Sequence, residues 1–423
     1  MLHIILQLIR WEKLCTGNNK KIFGWYKTVP SIFAKEEKKM KRIVKLGMVC
    51  MVLLVTCLGC GTNKKEVNIS TENVNELTDD NSSAQDAFQG IARVEKGFYF
   101  IDNSCLCFYD EGLGKATILC TDAGCEHKSE ECNAYLYGFK QDCLYGYENE
   151  LYGIETDYEE EADLMHYYLT KISRDGTTRT KLVDLFQNPN GQGVSFVIIQ
   201  HRGYCYFAIN ESSYDEKKEG TVYRAKLEKG AKVETVYQDS GYGINYSIHG
   251  YGDAIYIGEG KYEDAAQQEQ VSQIWQYSLE DEKFSKVIEE PFRVFTFAEG
   301  TLFYTTNDAI WKFDGKKTEK FYDLGQDMFG NLWYDGTYLC FDTLTDCFAK
   351  EKDTSERKIY VIDKEGTLIN SPTVSESCLY LTKVEDTCIW QSLLGQKYLS
   401  GDTETKEQTW KVDKIEIEGM KEE

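Results

Sequence analysis

The feature that most constrains this chain is a short aromatic strand that keeps returning after Gly90. Its copies read Gly97-Phe98-Tyr99-Phe100-Ile101-Asp102, Leu151-Tyr152-Gly153-Ile154, Gly203-Tyr204-Cys205-Tyr206-Phe207 and Asp253-Ala254-Ile255-Tyr256-Ile257. Three more are Gly300-Thr301-Leu302-Phe303-Tyr304, Gly336-Thr337-Tyr338-Leu339-Cys340-Phe341 and Ser377-Cys378-Leu379-Tyr380-Leu381. A partner strand follows several of them: Tyr168–Ile172, Val222–Leu227, Ile274–Leu279, Ala309–Phe313 and Ile359–Asp363. Turns then close on glycine at Asp175-Gly176, Lys229-Gly230, Asp314-Gly315 and Glu365-Gly366, and a third strand is expected after each. Strand, strand, turn and strand at a period of roughly 35 to 55 residues is the sequence form of a propeller blade. One such unit cannot bury both of its faces, so the copies must cover one another. The seven copies of the first strand predict an all-β chain folded as a seven-bladed β-propeller. Six or eight blades stay open, because the end copies are the most degenerate.

Composition agrees with short strands and tight turns. The chain has 34 Gly and only 4 Pro, and 13% of its residues are aromatic. No long apolar stripe at helical spacing follows Cys60. Glu155–Met165 and Gly258–Val271 read as acidic insertions on a rim.

The amino-terminal region gives an address rather than an activity. Met40-Lys41-Arg42 and Lys45 form a basic start, and Leu46–Leu58 is apolar. That run is too short to span a hydrocarbon core of roughly 30 Å but suits a signal peptide. It ends in Cys57-Leu58-Gly59-Cys60, the form of a lipobox in which the Cys60 thiol is acylated after cleavage before it. Cys57 stands where Leu is usual, and a second frame with Cys57 itself acylated fits less well. The expected organisation is a mis-assigned upstream start over 1–39, a lipoprotein signal over 40–59, Cys60 with a disordered tether over 60–88, and the propeller over 89–423. The tether is expected because Gly61–Phe88 is rich in Asn, Ser, Thr, Glu and Asp.

Charge narrows the partners. The chain carries −22, and the first sixty residues carry +8, which leaves −30 for the rest. So acidic a surface repels nucleic acid. The expected partners are the membrane, through the acyl groups on Cys60, and an envelope glycan, peptide or protein.

Eleven cysteines follow Cys60. The densest group is Cys120, Cys125, His127 and Cys132, with Cys105, Cys107 and Cys143 nearby. Three thiols and an imidazole at this spacing would form disulfides or close a tetrahedral zinc site. Disulfides are the commoner fate in an exported protein, so no cofactor is expected and zinc is the minor alternative. The group is read as structural, near where a ring would close against its last blade. Cys340/Cys347 and Cys378/Cys388 are further bridging candidates.

No catalytic residue is assigned. The chain lacks nucleophile-elbow, His-Glu-x-x-His, P-loop and dinucleotide motifs. His201 and His249 each stand near a predicted strand start and would face one rim. Asp157, Glu159 and Glu160 read as solvated loop charge. A binding or scaffolding module is favoured, and an exported polysaccharide-cleaving propeller with its site at the central channel is the alternative.

Tyr99-Phe100-Ile101-Asp102, Tyr206-Phe207-Ala208-Ile209-Asn210 and Ile172-Ser173-Arg174-Asp175-Gly176 resemble the repeats of low-density-lipoprotein-receptor-type propellers. With Leu119–His127 and Cys132-Asn133-Ala134-Tyr135 they are similar to Gram-positive surface lipoproteins with such a domain. The likeness spans about Gly90–Glu418. It implies the fold and a lipid-anchored, extracytoplasmic address, and no agreed activity.

Overall fold

The structure is a computed structural model. It describes Val67, Ile69 and the residues from 90 to 416 apart from short stretches, the longest being 344–356 and 396–408. Among the described residues all regular structure is β, and no helix is long and apolar enough to cross a membrane. The strands run as successive antiparallel meanders.

The first meander is β1 (Ile91–Val94), β2 (Gly97–Asp102), β3 (Cys105–Asp110) and β4 (Lys115–Ile118). The second is β5 (Phe139–Tyr147), β6 (Glu150–Glu159), β7 (Leu164–Ile172) and β8 (Arg179–Pro189). The third is β9 (Ser195–His201), β10 (Tyr204–Asn210), β11 (Lys218–Lys226) and the first half of β12 (Glu234–Tyr251). The second half of β12 opens the fourth, with β13 (Ala254–Tyr262), β14 (Gln270–Ser278) and β15 (Phe284–Ile288). The fifth is β16 (Phe295–Ala298), β17 (Thr301–Thr305), β18 (Ala309–Phe313) and β19 (Thr318–Asp323). The sixth is β20 (Phe329–Tyr334), β21 (Leu339–Thr343), β22 (Arg357–Ile362) and β23 (Leu368–Asn370), with β24 (Thr373–Val374) also on β22. The last sheet holds β25 (Cys378–Glu385), β26 (Cys388–Gly395) and β27 (Thr409–Glu416).

The recurring aromatic strand is the second strand of each full meander, and its partner is the third. Both present side chains to neighbours on both faces, which is why their pattern is dense. Phe98 to Ile101 are all buried, for example, although they alternate in direction. The turns after the third strands close as expected. Gly176, Gly230, Gly315 and Gly366 all have positive φ, between 71° and 92°. The aspartates beside them act as caps. Asp314 Oδ1 accepts from the amides of Lys316 and Lys317, each at 2.9 Å. Asp175 Oδ1 accepts from Ser173 Oγ at 2.6 Å and Thr177 N at 3.0 Å. Those bonds, the Ser173 hydroxyl first, hold its carboxyl down at about 2. The acidic insertions at Glu155–Met165 and Gly258–Val271 fall in the ends of two hairpins. They lengthen the β6–β7 and β13–β14 hairpins.

The first six meanders bury their faces against one another. β1 lies next to β5, β5 next to β9, β9 next to β12, and β16 next to β20. A separate apolar core fills each junction. Ile101, Leu106 and Leu144 join the first two meanders, and Tyr167, Phe196 and Phe207 join the second and third. Tyr206, Ile248 and Ile257 join the third and fourth; Tyr256, Phe297 and Tyr304 the fourth and fifth; Phe303, Leu332 and Phe341 the fifth and sixth. Full burial of one such side chain stabilises by about 1.5–3 kcal/mol, so every junction depends on having a neighbour.

A polar contact repeats at these junctions. The last residue of one first strand reaches the following turn in the next meander. Tyr147 Oη accepts from Gly203 N at 2.8 Å, and Tyr251 Oη accepts from Gly300 N at 2.6 Å. At the equivalent place His201 donates from Nε2 to Gly252 O at 2.9 Å.

The mid-point of β12 carries a buried charged group. Lys261 Nζ meets Asp239 at 2.8 Å, Glu263 at 3.3 Å and the fully buried Glu259 at 3.5 Å. Tyr237 Oη and Gln273 Nε2 donate to the two Glu259 oxygens, at 2.6 and 2.9 Å. Gly241 leaves room for the Lys261 stem, since a Cβ there would lie 2.8 Å from its Cδ.

The free tether expected over 60–88 does not extend through Val67 and Ile69. Both are buried in the core between the fourth and fifth meanders. Val67 N donates to Gly315 O at 3.2 Å. Two apolar residues at strand spacing suffice to dock a segment whose overall composition is polar. The other expected segments before Gly90 lie outside the described residues.

The inter-sheet hydroxyl contacts are directly testable. Tyr251→Phe keeps the ring against Phe297 but deprives the Gly300 amide of its acceptor. It should destabilise the chain by about 1–3 kcal/mol in urea unfolding. Tyr147→Phe should act likewise, and the double variant should be additive because the sites share no partner.

Candidate metal centre

Cys120, Cys125, His127 and Cys132 lie in the connection between β4 and β5. Tight turns fold it: Cys125 N donates to Asp122 O at 3.2 Å, and Cys132 N donates to Ser129 O at 3.0 Å. These turns bring the three sulfurs and a ring nitrogen of His127 within 4.8 Å of one another. His127 Nδ1 stands 3.4 Å from Cys132 Sγ. The backbone of His127 is left-handed, with φ 54°. Two amides point at sulfur: Asp122 N donates to Cys120 Sγ at 3.4 Å, and His127 N donates to Cys125 Sγ at 3.3 Å. Cys132 is the buried member, and burial pushes its thiol up to about 11.

The connection is clamped at Asn133. Its Nδ2 donates to Leu119 O at 2.8 Å and to Asp175 O at 3.1 Å. Its Oδ1 accepts from Thr121 N at 3.1 Å. Its carbonyl accepts from Arg179 Nη2 at 2.9 Å. Leu106 N donates to Ala134 O at 2.8 Å, so the same segment continues the edge of the first meander. The group therefore ties the first meander to the second. Asn133 follows Cys132 directly in the chain, but nothing in the sequence marked it as the clamp.

The other cysteines do not join the group. Cys107, Cys143, Cys205 and Cys340 are buried and in no disulfide, and burial raises Cys107, Cys143 and Cys205. Cys105 donates to His127 O at 3.5 Å and is also raised by burial. Cys347 lies outside the described residues. Cys378 pairs with Leu393 and Cys388 with Glu385, at opposite ends of one hairpin, so these two cannot bridge each other.

The histidines are engaged in the fold. His201 bonds Gly252 O, as described above. His249 does not share its place: it packs on Phe295 with ring centroids 4.3 Å apart, and burial lowers it to about 4. His166 sits on the β6–β7 hairpin, with Nδ1 2.8 Å from Asp184 and Nε2 3.2 Å from Glu159. The carboxylates nearby are also paired or solvated: Asp157 meets Lys181 at 2.9 Å, and Glu160 is exposed at the hairpin tip. A shallow cavity of about 470 Å³ is lined by Glu150, Ser173, Arg174 and Asp175, beside the Asn133 clamp.

No family model matches the chain, and no curated protein matches it. Solved structures do. A puromycin-hydrolysing peptidase of Mycobacterium tuberculosis is 12% identical over 72% of this chain, with TM-score 0.45. This chain spans about half that protein's length, 49%. Kluyveromyces lactis Hsv2 is 10% identical over 78% of this chain and 95% of its own, with TM-score 0.41. The β-propeller domain of the trilobed protease from Pyrococcus furiosus is 11% identical over 58% of this chain and 76% of its own, with TM-score 0.35.

His166 gives a pH signature. The Asp184 bond, and after it the Glu159 bond, raise its affinity for a proton above that of a free histidine, against the effect of burial. Its stabilisation should be full below the ordinary value of about 6.5 and be lost as pH rises through the higher folded value. The stability gap between wild type and His166→Gln should therefore shrink from pH 6 towards alkaline pH, as read by urea unfolding. A gap independent of pH would refute the assignment.

Proposed function

We propose that the chain is an extracytoplasmic lipoprotein, acylated on Cys60, whose body is a seven-bladed β-propeller that binds or scaffolds an envelope glycan, peptide or protein. Six successive meanders and a three-stranded last sheet support the blade count. β27 passes beside β4, as ring closure requires. The resemblance to Gram-positive surface lipoproteins supports the address.

The observation that carries the reading is the docking of Val67 and Ile69. Six residues lie between Cys60 and Val67, so an extended link of seven residue steps reaches at most about 25 Å. A body fixed at Val67 is held close to an acyl anchor at Cys60. Val67 meets the β18–β19 turn, which lies at the opposite end of its meander from the β17–β18 hairpin. The binding reading is favoured over an exported enzyme because His166, His201 and His249 are all engaged within the fold.

Two variants test the reading. Labelled palmitate should enter the wild type and not Cys60→Ala, which should leave the membrane fraction or remain unprocessed. A processed Cys60→Ala that stays with the membrane as the wild type does would overturn it. Val67→Asp should keep its label but lower the melting temperature. If its melting temperature is unchanged, the body does not begin at Val67 and the close hold is wrong.

A further inference from the structure

We propose that Cys120, Cys125, His127 and Cys132 form a closed tetrahedral site for one zinc ion that joins the first two meanders. Three sulfurs and an imidazole nitrogen are a donor set that selects zinc among the common divalent cations. Zinc binds sulfur at about 2.3 Å and nitrogen at about 2.0–2.1 Å, so its four ligands must stand within a few ångströms of one another. The four donor atoms here lie within 4.8 Å. Side-chain rotation alone can draw them onto one centre.

The surroundings separate zinc from a disulfide. A disulfide would join two sulfurs, leave the third beside them and give His127 no part. In the structure His127 Nδ1 faces Cys132 Sγ at 3.4 Å, and the left-handed turn at His127 brings its ring to the sulfurs. The amides of Asp122 and His127 are placed to donate to Cys120 and Cys125. Such donors stabilise thiolates bound to a metal. All four positions are filled by the protein, which is the form of a structural site and leaves no place for a substrate. On binding, the three thiols release their protons to water, and one zinc with three thiolates leaves the site with a single negative charge. Zinc binding would add a crosslink in the segment that Asn133 already clamps to both meanders.

The test uses the full chain, isolated with zinc present and without reductant. Metal analysis should find one zinc per chain. Exchange with cobalt should give the intense thiolate-to-cobalt charge-transfer band and visible bands of a tetrahedral site, saturating at one equivalent. Cys125→Ser and His127→Gln should each lose at least half of the bound zinc, and Cys340→Ser should keep it. A chelator should lower the melting temperature of the wild type and leave that of Cys125→Ser unmoved. The proposal is overturned if the wild type holds no zinc and takes up no cobalt. It is also overturned if alkylation and intact mass show two of the three thiols already joined. The wild-type measurements decide the matter even if a variant fails to fold.

Discussion

The structure depends on the contact that each sheet makes with the next. A four-stranded meander has two faces and can shield neither alone. Among the first six meanders several first strands lie side by side, and a separate apolar core fills each junction. Hydrophobic contact is not directional, and register at the junctions needs something that is. Tyr147, His201 and Tyr251 supply it by hydrogen-bonding a backbone group in the adjoining turn. Their rings pack in or beside the junction while their polar atoms fix the height of one sheet against its neighbour. A tyrosine and a histidine can both do this, because the turn offers an amide in two cases and a carbonyl in the third.

Much of this architecture was legible in the sequence. The second and third strands are buried on both sides, so their aromatic and β-branched residues form dense, repeated runs. The glycine turns were legible because positive φ restricts the choice of residue. The first strands were not. β16 is only Phe295–Ala298, and β12 hides a boundary inside one continuous strand of 18 residues. That strand serves two sheets without a loop, so no turn signal marks the change. Lys261 and Glu259 were equally hidden. A buried ion network reads in sequence as ordinary surface charge until its partners from three strands are brought together.

The cysteine group was found by composition and spacing, and its convergence was not. Residue types suggested a crosslink and put a disulfide ahead of a metal. The details that motivate the zinc proposal are backbone ones: the left-handed His127 and the two amides aimed at sulfur. At Val67 and Ile69 the tether expectation gave way for a different reason. An average over Gly61–Phe88 is polar, yet docking is decided by two side chains and one amide. Val67 and Ile69 fill a seam that the body leaves open, and composition does not report on single seams.

That docking changes how a load would travel through the molecule. A pull on the chain ahead of Val67 is not delivered to β1, the first strand in chain order. It arrives at the Gly315 turn, between the fourth and fifth sheets. β1 stays unloaded while the dock holds. The first event under tension is the release of two apolar side chains and one hydrogen bond. Chain order and mechanical order are thereby uncoupled, and the dock acts as a fuse that yields before the sheets do.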